Sequence, residues 1–135
     1  MKEIITEATV EKLDDVIDFV DEQLEAVDCP MKIQVQLNIA VEEIFVNIAS
    51  YAYHPGIGEA AVRVEFIETP LTVILTFLDS GNPFDPLAKA DPDDSAVTDE
   101  NKIGGFGIFM VKKSMDEVQY EYKNGQNILT IKKEL

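Results

Sequence analysis

One group of residues that could bind a ligand directly follows an apolar run, Leu71 to Leu78. It consists of Asp79, Ser80 and Gly81. A carboxylate at the end of a strand can accept a hydrogen bond from an exocyclic amine. A glycine two residues later lets the backbone come close to a flat ring. Because Asp, Ser, Gly and Asn are also the ordinary residues of turns, a polar turn is the simpler alternative.

A second group is the glycine-rich run from Ile103 to Val111, which contains Gly104, Gly105 and Gly107 and leads into an apolar helical pattern ending near Met115. Glycines before a helix expose backbone amides, and the helix dipole favours negative charge there, so this run could hold a phosphate. A flexible hinge is the alternative. The Walker pattern is absent, and the run does not follow a strand as a dinucleotide-binding fingerprint would.

The third group is a carboxylate and a carboxamide, Glu43 and Asn47, within the long helical pattern from Gln36 to Tyr53. Residues four apart lie one above the other on a helix, so both side chains share one face. On their own they are more simply read as a solvated helix edge. The helix itself is predicted by apolar residues at intervals of three, four and seven: Leu37, Ala40, Val41, Ile44, Phe45 and Ile48.

The elements before this helix are a short strand and an acidic amphipathic helix. Lys2 to Ala8 has β character and predicts an edge strand, and Thr9 could cap the helix after it. This acidic helix is predicted by the apolar spacing of Leu13, Val16, Ile17, Val20, Leu24 and Val27. Cys29-Pro30 ends or restarts a helix. The single histidine, His54, lies beside Pro55 and Gly56, which indicates a turn residue rather than a catalyst.

Four strands are predicted after this turn. Ala61 to Glu68 alternates in hydropathy, and the more continuously apolar Leu71 to Leu78 predicts a central strand that pairs antiparallel with it. Near the C-terminus, Val118 to Lys123 and Gln126 to Lys132 flank Asn124-Gly125, a dipeptide typical of tight hairpins. The stretch from Asp79 to Lys102 is predicted to be a mobile loop, because it is rich in Asp, Pro, Ser and Asn.

Composition narrows the class of protein. The chain has 135 residues, which is typical of one domain, and 46% of them are hydrophobic. Its 11 basic and 26 acidic residues leave a net charge of −15, which argues against nucleic-acid or membrane binding. The single cysteine, Cys29, excludes an intramolecular disulfide and predicts a structural thiol. With no apolar leader and no apolar run of membrane-spanning length, a cytoplasmic protein is expected.

Together the three groups resemble the GHKL ATPase superfamily, and most closely its anti-sigma-factor serine/threonine kinase branch. AVEEIFVNIASYAY resembles the N box, DSGNPFDP the first glycine box and GGFGIFMVKKSMDEV the second, in that order. The final hairpin also resembles this branch, so the resemblance covers nearly the whole chain. It implies an α+β fold, a two-layer α/β sandwich with helices on one face of a mostly antiparallel mixed sheet. It also implies a single ATPase domain over residues 1–135, with a mobile ATP lid at about 86–102.

The resemblance also implies roles for individual residues. Asn47 matches the asparagine that coordinates Mg²⁺, and Glu43 matches the proposed general base. Asp79 matches the residue that binds the adenine amine of ATP, with Gly81 beside it. The phosphate-facing glycines at the hinge of the lid are matched by Gly104, Gly105 and Gly107. Lys102 lies near the position of a basic phosphate ligand in some members, and its role stays open.

The implied function is an ATP-dependent protein serine kinase that phosphorylates an anti-anti-sigma antagonist protein and sequesters a sigma factor. A nucleotide-gated protein-binding module without turnover is the alternative from another class, and a phosphatase regulator is a third. The family suggests a homodimer. No direct nucleic-acid or membrane partner is expected, and the chain is too short to hold the dimerisation helices of a histidine kinase as well.

Overall fold

The structure, a computed structural model, describes residues 1–88 and 103–135, and of residues 103–106 it describes the backbone alone. Five strands lie within these ranges: Lys2–Glu7 (β1), Glu59–Ile67 (β2), Thr72–Asp79 (β3), Glu117–Lys123 (β4) and Gln126–Glu134 (β5). They form one sheet in the order β1-β2-β3-β5-β4. Its four pairings are all antiparallel, whereas the prediction of a mixed sheet also included a parallel pairing.

Three α-helices, Leu13–Glu25 (α1), Met31–Asn47 (α2) and Ile103–Ser114 (α3), form the second layer. Buried side chains from all three helices and from alternate strand positions form one core cluster. Phe45 of α2 and Phe77 of β3 are among its largest fully buried members, and burying such a side chain contributes about 1.5–3 kcal/mol. None of the helices in the described ranges combines the length and apolarity needed to cross a membrane.

The predicted two-layer α/β sandwich is confirmed, and so are its main strands. β1 is an edge strand, and β3 lies between β2 and β5 as a central strand should. Asn124 and Gly125 have φ values of 54° and 77°, the left-handed angles that a tight hairpin between β4 and β5 needs. Cys29 is partly buried against the core, as predicted for a structural thiol.

Several predicted boundaries were wrong. α2 begins at Met31 rather than Gln36. Of the apolar side chains before Leu37, Met31 and Val35 are exposed, and only Ile33 packs partly buried against the core. α1 ends at Glu25, before Val27, and Thr9 makes no side-chain cap bond. Within the predicted loop, Pro86–Ala88 forms a 3₁₀ turn, and the rest of the predicted lid, residues 89–102, lies outside the described residues.

Candidate functional site

Glu43 and Asn47 are neighbours on α2, as their spacing predicted. The Asn47 Nδ2 donates a hydrogen bond to Glu43 Oε1 at 3.3 Å, and both side chains are half-buried. Burial raises the pKa of the Glu43 carboxyl, the bond from Asn47 lowers it, and the charge of Glu42 raises it further. The net result is a carboxyl whose pKa is raised, which is the direction that suits a general base working near neutral pH.

The glycine run lies inside α3, which corrects the prediction that it precedes the helix. The helix begins at Ile103, so Gly104, Gly105 and Gly107 belong to its first two turns. Glycine can adopt helical angles at a cost of roughly 1 kcal/mol relative to alanine, so the glycines do not prevent the helix. Whether they bind phosphate stays a prediction.

Gly107 packs directly against Glu43. A Cβ atom at position 107 would lie 2.2 Å from both the Cδ and Oε1 of Glu43, and 2.4 Å from its Oε2. Real Cβ atoms essentially never approach other atoms this closely, so any larger residue would displace the carboxylate. The absence of a side chain at position 107 therefore sets where the Glu43 carboxylate can be.

Asp79 is buried at the end of β3, with only 5% of its surface exposed, and it lines a cleft. Its Oδ1 accepts hydrogen bonds from the Gly81 amide and from Asn127 Nδ2, both at 2.9 Å. No described residue donates to its other oxygen, Oδ2, which is therefore left to accept from a ligand in the cleft.

The structure gives a reason for a glycine at position 81 that differs from the predicted one. A Cβ atom there would lie 2.2 Å from the Ala52 carbonyl oxygen, so this glycine lets the loop pack against the end of α2. The next amide, that of Asn82, donates to the same carbonyl at 2.8 Å. Ala52 ends a π-helical turn, Ile48–Ala52, that continues α2 and lines the cleft. A direct contact between Gly81 and a ligand stays a prediction.

Asn127, near the start of β5, was missed by sequence reasoning. Its side chain is buried, donates to Asp79 Oδ1 and to the Asn82 carbonyl at 2.9 Å, and accepts from the Phe84 amide at 3.1 Å and from the Tyr120 hydroxyl. Asn127 therefore fixes both the Asp79 rotamer and the loop after β3. The sequence did carry one signal, because Asn127 is a polar residue on the same face of β5 as Leu129 and Ile131. An amide buried on such a face needs hydrogen-bond partners, so its presence there indicates a polar contact.

The cleft lies between the end of α2, the end of β3 and α3. Its empty space, including the open mouth, is about 460 Å³. It is lined by Asn47 and Asp79 and otherwise mainly by apolar and aromatic side chains. At its mouth, Tyr51 and Phe84 place their ring centroids 6.3 Å apart, and sequence reasoning missed both. The cleft suits a flat ring with one amine directed at Asp79.

The donor set suits Mg²⁺ held together with a phosphate ligand. The Asn47 carboxamide oxygen accepts no hydrogen bond from the described residues. Among the residues that the structure describes, no cluster of three His, Cys, Asp or Glu side chains could hold a metal. Mg²⁺ usually takes only one or two protein ligands and completes its shell with water and phosphate oxygens. Asn47, which lines the cleft and matches the asparagine implied by the resemblance, would hold it here.

Two other predicted residues lie apart from this arrangement. His54 lies in the turn after α2, as predicted, and does not line the cleft. Lys102 falls outside the described residues, so its role stays open. The structure brings Asn47, Asp79 and Asn127 together in the lining of the cleft. Glu43 does not line the cleft but is hydrogen-bonded to Asn47, and Gly107 packs against Glu43.

An antiparallel sheet covered by helices, with an amide and a carboxylate at the end of one helix and a buried aspartate opposite, is the arrangement of an ATP-binding domain. The chain belongs to the histidine kinase-like ATPase domain family, whose model matches residues 6–133. This confirms the resemblance to the GHKL superfamily predicted from the three sequence boxes.

Among individual proteins, the chain is similar to the serine/threonine-protein kinase BtrW of Bordetella bronchiseptica. The two are 28% identical over 100 residues, which cover 74% of this chain and 70% of BtrW. It is also similar to the serine-protein kinases RsbW of Bacillus cereus and Bacillus anthracis, at 28% identity over 100 residues that cover 71% of this chain. The match spans 61% of those RsbW proteins.

Gly107→Ala is expected to lower any phosphoryl transfer by about 100-fold without loss of stability, since alanine favours the helix by up to about 1 kcal/mol. The new methyl group would turn the Glu43 carboxylate away, and a catalytic group misplaced by about 1 Å can cost this much. The displaced atoms are the far end of a flexible side chain, so the fold should tolerate the change. Single-turnover kinetics and thermal unfolding measure the two effects.

The control for this prediction is Gly107→Ala combined with Glu43→Gln. If Gly107 acts through Glu43, the alanine should cost no further rate in that background. If Gly107 instead contacts phosphate, nucleotide affinity should fall in both backgrounds. An unchanged rate in Gly107→Ala would show that the position of the Glu43 carboxylate does not depend on this contact.

Proposed function

We propose that this protein is an ATP-dependent protein serine/threonine kinase and an anti-sigma regulatory factor. It phosphorylates a small antagonist protein of the anti-anti-sigma type and also sequesters a sigma factor. The observation that carries the proposal is a cleft lined by Asn47 and by Asp79, whose Oδ2 is free, with Glu43 hydrogen-bonded to Asn47. The similarity to proteins named BtrW and RsbW kinases supports the reaction type.

Each residue has a defined task in this proposal. Asp79 Oδ2 accepts the adenine amine, which orients ATP along the cleft. Asn47 holds Mg²⁺, which when bound neutralises charge on the phosphates. Glu43 takes the proton from the attacking serine hydroxyl, and its raised pKa keeps it basic enough for that step. Gly104, Gly105 and Gly107 are proposed to face the phosphates, beside a lid at about 86–102 in a single ATPase domain.

The alternative is a nucleotide-gated binding module without turnover. Most of the site would look the same in such a protein, because orienting a nucleotide needs only Asp79, Asn47 and Mg²⁺. The position of Glu43 favours the kinase, because a carboxylate hydrogen-bonded to the proposed magnesium ligand Asn47 lies where a general base would be needed. Homodimer formation and a cytoplasmic location belong to the proposal as well.

The test is a search for phosphoserine on a partner protein. The purified protein is mixed with Mg-ATP and with antagonist proteins encoded by neighbouring genes, and mass spectrometry locates new phosphate groups. The proposal expects one partner to gain phosphate on a single serine or threonine, only when Mg²⁺ is present. Stable partner binding without any phosphate transfer would favour the binding module.

Asp79→Asn is expected to weaken ATP binding by about 1–3 kcal/mol and to shift preference toward GTP. Asn127 Nδ2 and the Gly81 amide both donate to Oδ1, so an asparagine would keep its oxygen there and turn its NH₂ toward the ligand. That NH₂ opposes the amine of adenine but can donate to the carbonyl oxygen of guanine. Calorimetric titrations of both nucleotides measure the change.

The wild-type protein is the reference for this substitution and should itself prefer ATP, because guanine carries a carbonyl oxygen where adenine carries its amine. Inosine triphosphate, which shares that carbonyl oxygen with guanine, should behave like GTP in both proteins. Equal affinity of the wild type for ATP and GTP would contradict the placement of adenine at Asp79.

A further inference from the structure

Three exposed apolar side chains, those of Met31, Val35 and Ile39, follow one another along α2 at intervals of four residues. Their exposed fractions are 72%, 48% and 57%. Residues four apart on a helix lie one above the other with an offset of about 40°, so these three form a continuous line, called here the α2 row. Water-exposed apolar side chains that adjoin one another in this way are typical of a contact with another molecule.

The α2 row leads to the candidate catalytic base. Continuing the interval of four from Ile39 gives Glu43, so the Ile39 end of the row adjoins Glu43, with an offset of about 40° around the helix. Because a helix rises 1.5 Å per residue, Ile39 and Glu43 are about 6 Å apart along the axis. A partner segment lying on the α2 row therefore comes within about one helical turn of Glu43.

Carboxylates border the α2 row on the side of α1. Asn38 of α2 donates a hydrogen bond to Asp21 of α1 at 2.7 Å, which holds α1 alongside this part of α2. About one turn to either side of Asp21, α1 exposes two further acidic residues, Asp18 and Glu25. α2 exposes a third, Glu42. Lys32 is an exposed cation beside the row. With a net charge of −15 on the chain, this surface favours a cationic partner.

We propose that the α2 row is the docking site for the protein substrate, through an amphipathic helical segment with an apolar face and a cationic flank. The proposal rests on the kinase function proposed above and adds where the substrate docks and by what chemistry. An amphipathic helix can pack its apolar face against apolar side chains spaced at intervals of four. The acidic border repels anionic lipid and nucleic acid, which excludes both as partners. Three side chains make a small contact, which suits a substrate that leaves after transfer.

Binding is tested first with two synthetic amphipathic peptides that share one apolar face, one flanked by Lys and Arg and the other by Glu. Fluorescence anisotropy should detect the cationic peptide binding to the wild type, and more weakly as salt is added. Val35→Glu and Ile39→Glu should weaken it roughly tenfold or more. Ile67→Glu is the matched control, because Ile67 is a 47% exposed isoleucine on β2 and should bind like the wild type.

Phosphoryl transfer is tested next with the acceptor protein that the phosphoserine search identifies. In Ile39→Glu the KM for this acceptor should rise roughly tenfold, while the KM for ATP and kcat stay as in the wild type. If the wild type transfers no phosphate at all, the proposed kinase function fails, and the peptide measurement still decides the docking site.

Three results would overturn the proposal. The first is equal binding of the cationic and anionic peptides, and the second is binding by Ile39→Glu that matches the wild type. The third is a change in sedimentation velocity that shows a dimer in the wild type and a monomer in Ile39→Glu. That result would assign the α2 row to a contact between two copies of this chain instead.

Discussion

Asn47→Ala is expected to abolish phosphoryl transfer and to weaken Mg-ATP binding in the same variant. Asn47 lines the cleft, its carboxamide oxygen is the proposed neutral ligand of Mg²⁺, and alanine removes that oxygen. Loss of an outer-shell partner of a metal ligand typically costs about 10–100-fold, and loss of the ligand itself should cost more. Calorimetric titration with ATP in the presence of Mg²⁺ or of a chelator separates the metal contribution from the rest of binding.

The wild type should bind ATP more tightly with Mg²⁺ than with the chelator, and in Asn47→Ala this difference should largely disappear. Asn38→Ala is the matched control, because it removes an asparagine from the same helix together with its bond to Asp21 but leaves the cleft intact. If Asn47→Ala binds Mg-ATP as tightly as the wild type does, Asn47 is not the magnesium ligand.

The parts of the site that sequence reasoning could predict depend on short-range geometry. Glu43 and Asn47 are neighbours because any helix brings residues four apart together. Asp79 lies at a strand end because an apolar run stops there and turn residues follow. The hairpin at Asn124-Gly125 follows from the left-handed angles that this dipeptide favours.

The parts that could not be predicted depend on contacts between distant segments. Asp79 and Asn127 are 48 residues apart and meet because the antiparallel register of β3 and β5 places them opposite each other. Gly107 meets Glu43 only because α3 packs on α2. A sequence pattern marks such residues as glycine or asparagine but carries no signal for the partner that each one needs.

The start of α2 shows a different limit. Burial produces the apolar stripe that predicts a helix, so apolar residues that stay exposed do not extend that stripe. Met31 and Val35 therefore fell outside the predicted helix, although both belong to it. These same side chains form part of the α2 row. Their exposure explains why the start of the helix was predicted wrongly, and it is also the reason that the row is proposed as a docking site.

Glu43→Gln is expected to bind Mg-ATP normally but to lose roughly two to four orders of magnitude in phosphoryl transfer. Glutamine keeps the shape of the side chain and can still pair with Asn47, but it cannot accept a proton. Because the pKa of Glu43 is raised in the folded protein, its stabilising effect is present at low pH and is lost as pH rises through that pKa. The variant should therefore be at least as stable as the wild type near neutral pH.

The pH dependence of the rate gives a second signature of the same residue. A base must be ionised to work, so the wild-type rate should fall as pH drops through the raised pKa of Glu43. This acid limb should lie at a higher pH than for an exposed glutamate, and the residual transfer by Glu43→Gln should lack it.

The most direct test of the kinase assignment is single-turnover transfer from γ-labelled ATP to the acceptor protein at saturating nucleotide. The wild type and Glu43→Gln are compared side by side, with circular dichroism confirming that both fold. With the wild type, label is expected on an acceptor serine or threonine, and with Glu43→Gln the rate should be roughly two to four orders of magnitude lower. Equal rates in the two proteins, or no label on the acceptor with either, would contradict the kinase assignment.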